Sequence, residues 1–339
     1  MKRVDKKRRI QIFLVALGLG LLQAFPSAAA EKVQFLLNWI PVGYHVGFFV
    51  ALEKGYYANE GLAVSIERGK GSGDTSKRVG LGSSQVGLSD AGSVVVARAK
   101  GLKTKLIGAF FDRNPMAIYV LKGSGIRGPK DLIGRSLAAP LASASRVVFP
   151  AFASANGIPL DSVKWVTVPP AAQVPTLVTK RADGIASFLT SRPAYDKAAS
   201  ESGQKIHLIY YADHGLDIYG LTLVSGDSWI QSRPNFAKAF LKASYQGIRW
   251  AVENPSEGMK LLLKNHPALD LALASKTWEI AQELIVTPVA KKHGLGYMER
   301  AKIELTRDII SKYENVKEPT AAADLYTNGL LPGIFPPKR

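Results

Sequence analysis

Cysteine is absent from all 339 residues. That excludes disulfides, thiolate metal ligands and cysteine nucleophiles, and it leaves no residue to carry a lipid tether behind an export signal. Histidine is scarce as well. His45, His207, His214, His266 and His293 lack metal-ligand spacing, and no H-E-x-x-H occurs. No serine sits in a G-x-S-x-G elbow. The run Gly69-Lys70-Gly71-Ser72-Gly73 completes neither G-x-x-x-x-G-K-[ST] nor G-x-G-x-x-G. It reads as a tight turn between strand and helix, although such a turn still offers backbone N–H groups to a crevice. Catalysis is unsupported, and no cofactor or metal is expected.

Long apolar runs are confined to the start of the chain. Lys2, Arg3, Lys6, Lys7, Arg8 and Arg9 precede the uncharged stretch Ile10 to Phe25, and Pro26-Ser27-Ala28-Ala29-Ala30 follows it. That stretch, sixteen residues long, falls short of the roughly 20 that a spanning helix needs. The order is that of a secretory signal over 1–30, with cleavage expected after Ala30. An exported, untethered, cysteine-free chain implies the periplasm.

The chain carries 44 basic and 27 acidic residues, a formal +17. The first thirty residues hold six of the bases and one of the acids, which leaves 38 and 26, or about +12. Such a surface favours an anionic solute or membrane face, or serves solubility alone. The bases are scattered rather than clustered, so nucleic acid is not expected.

Past residue 30, strand and helix signals alternate with short Gly-rich joints. Val33–Leu37, Leu62–Glu67, Gln85–Leu88 and Lys105–Phe110 read as strands, with helical stretches at Gly47–Tyr57, Thr75–Gly82 and Gly92–Lys100. The rhythm restarts after Gly123-Ser124-Gly125. Strands are predicted at Ser136–Ala139, Val163–Val168, Gly184–Phe188 and Ile206–Tyr210, and helices at Ser143–Ala155, Gln173–Thr179 and Ala194–Ser200. From Arg233 onward the pattern is helical: Pro234–Asn254, Ser256–Asn265, Leu271–Leu284 and Tyr297–Tyr313. The fold class is therefore α/β, with two mainly parallel sheets flanked by helices. Two α/β units without a linker, followed by helices with no sheet of their own, imply a discontinuous first lobe, 31–118 with 223–339, and a second over 119–222. Met116–Leu121 and Tyr219–Val224 are the expected crossing strands. Ligands of such sheets bind at a crevice beyond the strand carboxyl ends, and two crossings make a hinge.

One segment is more specific. Leu36-Leu37-Asn38-Trp39-Ile40-Pro41-Val42-Gly43-Tyr44-His45-Val46-Gly47-Phe48-Phe49-Val50-Ala51 leads to Glu53-Lys54-Gly55-Tyr56-Tyr57-Ala58-Asn59-Glu60-Gly61-Leu62. It resembles the opening of the thiamine-pyrimidine branch of type II solute-binding proteins, relatives of the sulfonate, taurine and nitrate binders. Gly82-x-x-Gln85-Val86-Gly87-Leu88-Ser89-Asp90-Ala91 and Leu325-Tyr326-Thr327-Asn328 are similar to that family too. The resemblance implies a two-lobed, monomeric receptor that hands a small molecule to an ABC permease. It is shared with a fungal enzyme that makes the thiamine pyrimidine from its own histidine and pyridoxal phosphate. That enzyme implies a Cys-rich iron-binding motif, which this chain cannot supply.

Candidate ligand contacts follow. Trp39 and Tyr44, just past the first strand, suit stacking on a planar ring, and His45 suits a hydrogen bond to a ring nitrogen; Trp39 could equally be a core aromatic and His45 a satisfied helix-start residue. Gly71, Ser72, Gly73 and Asp74 open the second helix. Ser89 and Asp90 end the next strand, with Asp90 either a contact or a helix cap. Phe111 and Asp112 follow the fourth strand. In the second unit, Ser143, Ser145 and Arg146 at a strand-to-helix joint would suit an anion, or Ser143 is an ordinary cap. Phe188 and Thr190 would face them. Pyrimidine binders of the family tend to carry an acid near that point, whereas Ile185-Ala186-Ser187-Phe188-Leu189-Thr190 has none. That departure leaves an anionic sulfonate, nitrate or aromatic carboxylate open as the ligand.

Overall fold

The computed structural model describes residues 29–313, 316 and 318–337. All but the last two residues of the expected signal lie outside the described residues. Among the described residues no helix is long and apolar enough to cross a membrane.

Among the described residues ten strands form two sheets of five. They are β1 (Glu31–Leu36), β2 (Leu62–Glu67), β3 (Val86–Asp90), β4 (Thr104–Ala109), β5 (Met116–Leu121), β6 (Ser136–Ala139), β7 (Lys164–Thr167), β8 (Gly184–Phe188), β9 (Ile206–Tyr210) and β10 (Leu221–Gly226). The first sheet runs β2-β1-β3-β10-β4 and the second β7-β6-β8-β5-β9. In the first, β1 is parallel to β2 and β3, and β10 lies antiparallel between β3 and β4. In the second, β6 is parallel to β7 and β8, and β5 lies antiparallel between β8 and β9. The sheets are thus mixed, and each takes its antiparallel strand from the place where the chain crosses over. These crossings are the stretches 110–115 and 211–220.

The buried positions explain why the strands form. β3 and β5 are buried at every position, as expected of central strands covered on both faces. Tyr57, Phe48, Phe240 and Trp278 fill the core on one side of the first sheet, and Phe149, Phe152 and Tyr211 pack in a second cluster. That second cluster joins Val94 and Val224 of the first half to Met116, Ile118 and Leu137 of the second.

Two expected helices are broken. The stretch Gly47–Tyr57 ends its first helix at Glu53 and restarts at Tyr56, because Gly55 adopts a left-handed φ of 71°. The stretch Ser143–Ala155 divides into Ala144–Val147 and Phe149–Ala155. Pro150 cannot donate to the preceding turn, so one continuous helix is denied. Three short helices, Asp227–Ser232, Pro288–His293 and Ala322–Leu325, carry no sequence signal long enough to stand out.

Candidate functional site

The loops beyond the carboxyl ends of the parallel strands converge on one cavity of about 230 Å³. β1 delivers Asn38 and Trp39 and, through a 3₁₀ turn at Gly43–His45, Tyr44. Ser72 comes from the joint after β2, Ser143 and Ser145 from the joint after β6, and Gln173 from that after β7. Phe188 ends β8, Thr190 and Ser191 follow it, and the helices Arg192–Glu201 and Leu271–Ile285 add Tyr195, Leu273 and Thr277. The volume lies below the roughly 300–1,000 Å³ of pockets for drug-sized ligands, so a small one-ring solute is the scale that fits.

The loop after β2 is pressed against the first strand. Gly69 donates to the Trp39 carbonyl (3.0 Å), and the Thr75 hydroxyl to the Leu37 carbonyl (3.0 Å). A Cβ at Gly69 would stand 1.9 Å from the Leu37 carbonyl oxygen, so only glycine permits this approach. The same loop touches the other sheet, where Gly73 donates to the Ala142 carbonyl at 3.0 Å. Trp39 is thereby held half-buried at the rim. Tyr44 is 3% exposed, and its ring packs against His45 and Phe111, with centroids 4.2 and 5.5 Å away.

The polar content of the wall is specific. Ser143 Oγ and Thr190 Oγ1 are buried hydroxyls without a hydrogen-bond partner in the protein, an arrangement that costs free energy unless a ligand or water completes it. Ser145 is satisfied by the Ser187 carbonyl (3.0 Å), and Gln173 by the Ala186 carbonyl (3.2 Å). None of the lining residues is Lys, Arg or His, and the one ionisable carboxylate is Asp270. Asp270 caps the helix Leu271–Ile285 through the Leu273 N–H (3.0 Å) and pairs with Lys197 at 3.3 Å. Those bonds hold its carboxyl below the ordinary range, the backbone donor first and the lysine next.

Of the residues expected from sequence, Trp39, Tyr44, Ser72, Ser143, Ser145, Phe188 and Thr190 come together on this wall. The others lie behind it or away from it. His45 is fully buried behind Tyr44 and bonded to Asn38. Gly71 and Gly73 form the contact with Ala142, and Asp74 sits in the first turn of the helix Ser72–Gly80. Ser89 is buried beneath, bonded to Ser76 and to the Ser72 carbonyl. Asp90 caps the helix Ala91–Ala99 through Ser93 (3.0 Å), and burial pushes its carboxyl up to about 7. Phe111 belongs to the core, and Asp112 receives a hydrogen bond from Thr287. Arg146 turns outward, with its guanidinium 4.9 Å from the Trp165 ring centroid and a donor to Thr167 at 2.8 Å. Sequence reading missed Asn38, Gln173, Tyr195, Asp270 and Thr277. Asn38 stood inside the quoted motif; the others had no local signal, because their place depends on how distant helices dock.

Paired five-stranded sheets with crossed antiparallel strands, opening a cavity at the parallel strand ends, define the fold of periplasmic binding proteins. The solved structures agree. The alkanesulfonate-binding protein SsuA of Xanthomonas axonopodis pv. citri matches with a TM-score of 0.68 at 13% identity, covering 88% of this chain and 99% of that one. The nitrate-binding protein NrtA of Synechocystis PCC 6803 also gives 0.68 at 13% identity, over 89% and 87%. The chain belongs to the NMT1/THI5-like family, whose model matches residues 42–258, more than half of its length. Two relatives span nearly all of it. A formylaminopyrimidine-binding protein of Halalkalibacterium halodurans is 24% identical over 94% of this chain and 97% of its own. A 4-amino-5-hydroxymethyl-2-methylpyrimidine phosphate synthase of Legionella pneumophila is 25% identical over 90% and 94%.

Proposed function

We propose that this chain is the solute-binding component of an ABC importer and captures a neutral, nitrogen-bearing aromatic ring of the thiamine-precursor pyrimidine class. The observation that carries the reading is the wall itself: aromatic faces, unpartnered hydroxyls and one carboxylate, with no cationic side chain. Trp39, Tyr44 and Phe188 offer ring faces for stacking. Ser143 and Thr190 offer hydroxyls that a heterocycle's edge would satisfy, and Asp270 suits an exocyclic amino group. An acid absent from the strand β8 thus enters the wall from a different element. A sulfonate or nitrate would find hydroxyl donors here but no cation to balance its charge, and Arg146, the residue best suited to it by sequence, lies outside the wall. The binding-protein relative supports the receptor reading. The synthase relative points to an enzyme of pyrimidine biosynthesis, but the Cys-rich iron motif that resemblance to the fungal enzyme implies has no counterpart in a chain without cysteine.

The working molecule in this reading is the exported monomer from Glu31, free in the periplasm and without a lipid anchor. Its two lobes, one built on each sheet, close about the crossings at 110–115 and 211–220 and present the loaded form to a permease.

A thermal-shift screen of the chain from Glu31 tests this directly. The probes are hydroxymethyl- and formylamino-pyrimidines, aromatic carboxylates, taurine, alkanesulfonates and nitrate. A ligand at a hundred times its Kd adds about 2.7 kcal/mol of stability. Stabilisation by the pyrimidines alone, with no turnover, is the expected result. Stabilisation by the anions alone would discard the pyrimidine and keep the receptor, whereas product formation with pyridoxal phosphate would discard the receptor.

A further inference from the structure

Behind Tyr44 lies a buried polar chain that the cavity wall does not explain by itself. Asn38, Tyr44 and His45 are 2%, 3% and 0% exposed, and their polar atoms meet one another. The proton positions follow from the partners. The backbone N–H of Val42 points at His45 Nδ1 (3.1 Å). A backbone nitrogen can only donate, so Nδ1 accepts and carries no proton. Burial disfavours the imidazolium and lowers the His45 pKa to about 3, so the ring is neutral and its proton is on Nε2.

Nε2 lies 3.0 Å from Asn38 Oδ1, which therefore accepts from it. That fixes the amide and turns Nδ2 toward Tyr44, where it donates to the phenolic oxygen at 3.1 Å. The reverse bond, from the Tyr44 hydroxyl to Asn38 Oδ1, would span 3.4 Å, longer than the roughly 2.5–3.0 Å of an O–H···O bond. No other protein acceptor stands against the Tyr44 hydroxyl among the described residues, and Asn38 and Tyr44 both line the cavity.

We infer that His45 is a positioning residue: acting through Asn38, it turns the hydroxyl hydrogen of Tyr44 into the cavity and makes the site select solutes that present a hydrogen-bond acceptor there. The inference rests on the cavity being the solute site. Its chemistry is a one-way relay, from the Val42 N–H to His45, from His45 to Asn38, from Asn38 to Tyr44, and from Tyr44 to the ligand. Each group accepts on one side and donates on the other, so reversing any member reverses the polarity presented to the ligand.

Two measurements decide it. Imidazole 15N spectra of the ligand-free chain from Glu31 should show His45 as the neutral Nε2–H tautomer; an Nδ1–H tautomer or an imidazolium at neutral pH overturns the relay. Calorimetry should then compare the formylaminopyrimidine with its benzene analogue, in which CH replaces the ring nitrogens. Wild type should prefer the pyrimidine, and Tyr44→Phe or His45→Leu should each cut that preference about tenfold, or 1.4 kcal/mol. The double variant should lose no more than either single one, because both break the same chain. His45→Gln, whose amide can still donate to Asn38, should keep the preference. Equal weakening of both probes by His45→Leu, or additive losses, would reduce His45 to a packing residue. If wild type binds neither probe, the pyrimidine reading fails, and the tautomer alone decides the relay.

Discussion

Trp39 and Arg146 are both natural ligand contacts by residue type, and the structure separates them. Trp39 lies half-buried on the cavity wall, while Arg146 stacks outward on Trp165. Trp39→Ala should weaken pyrimidine binding at least about tenfold, given the stacking and burial a ring of that size supplies. Arg146→Ala should leave the affinity within about twofold of wild type, since its guanidinium lies outside the wall against Trp165 and Thr167. Calorimetry on the two variants checks both. Loss of binding in Arg146→Ala with none in Trp39→Ala would move the site.

Asp90 gives a pH signature at the same scale. Burial raises its folded-state pKa from 3.8 to about 7, and Oδ2 has no partner. Between those values the folded protein holds a proton that the unfolded chain releases. The stability this group contributes is therefore complete below pH 3.8 and lost as pH rises through 7. Asparagine keeps the cap to Ser93 without the charge. Asp90→Asn should thus be more stable than wild type at pH 8, with the difference closing near pH 4. Denaturant titrations at the two pH values measure it, and a gain confined to pH 4 would contradict it.

What could be read at this scale followed from adjacency. Trp39 and Tyr44 were legible because a strand end and a short turn place them within a few residues of the crevice. Asp270 and Thr277 were not, because the run Leu271–Ile285 reads as an ordinary amphipathic helix. Only its docking beside the Gly43–His45 turn, where a Cβ on Gly43 would strike the Ala274 carbonyl oxygen at 1.9 Å, makes it part of the site. His45 was legible as a hydrogen-bonding group but not as a buried one, since its partners depend on how the turn closes.

At the scale of elements, strands were the clearest signal. β2, β5, β6, β8 and β9 fall on the residues their apolar runs predict; β5 is buried throughout and reads as one uninterrupted apolar segment, while β2 and β9 are half-buried edge strands whose polar residues interrupt the run. Helix ends were less legible where one residue decides, as at Gly55 and Pro150. Helix contacts also hang on glycine. The helices Val46–Glu53 and Pro234–Glu253 cross so closely that a Cβ on Gly247 would stand 2.2 Å from the Gly47 carbonyl oxygen and 2.7 Å from Ala51 Cβ. Alanine in place of a helical glycine ordinarily stabilises by about 0.5–1 kcal/mol. Here the sign should reverse, and Gly247→Ala should cost about 1–3 kcal/mol through overpacking. Chemical denaturation of that variant checks the sign; a gain would mean that the two helices can part freely.

At the scale of the whole molecule, the sheets repeat one plan, with the antiparallel strand exchanged between them at the crossings. The sequence rhythm pointed to two sheets and a return of the chain to the first; the exchange required seeing which strands pair. Near the cavity the two halves meet backbone to backbone, where the loop 69–73 lies on the turn at Ala142. Gly71 has a φ of 131°, and a Cβ there would sit 2.2 Å from the Ala142 carbonyl oxygen. In the proposed closure of the lobes, glycine at this point is the clearance between two leaves of a door. A methyl group would be a doorstop, and with the closed population reduced to a fraction, the apparent Kd rises by the inverse of that fraction. Gly71→Ala should therefore weaken every ligand alike while touching none of them, and small-angle scattering at saturating ligand should no longer show the compaction of wild type.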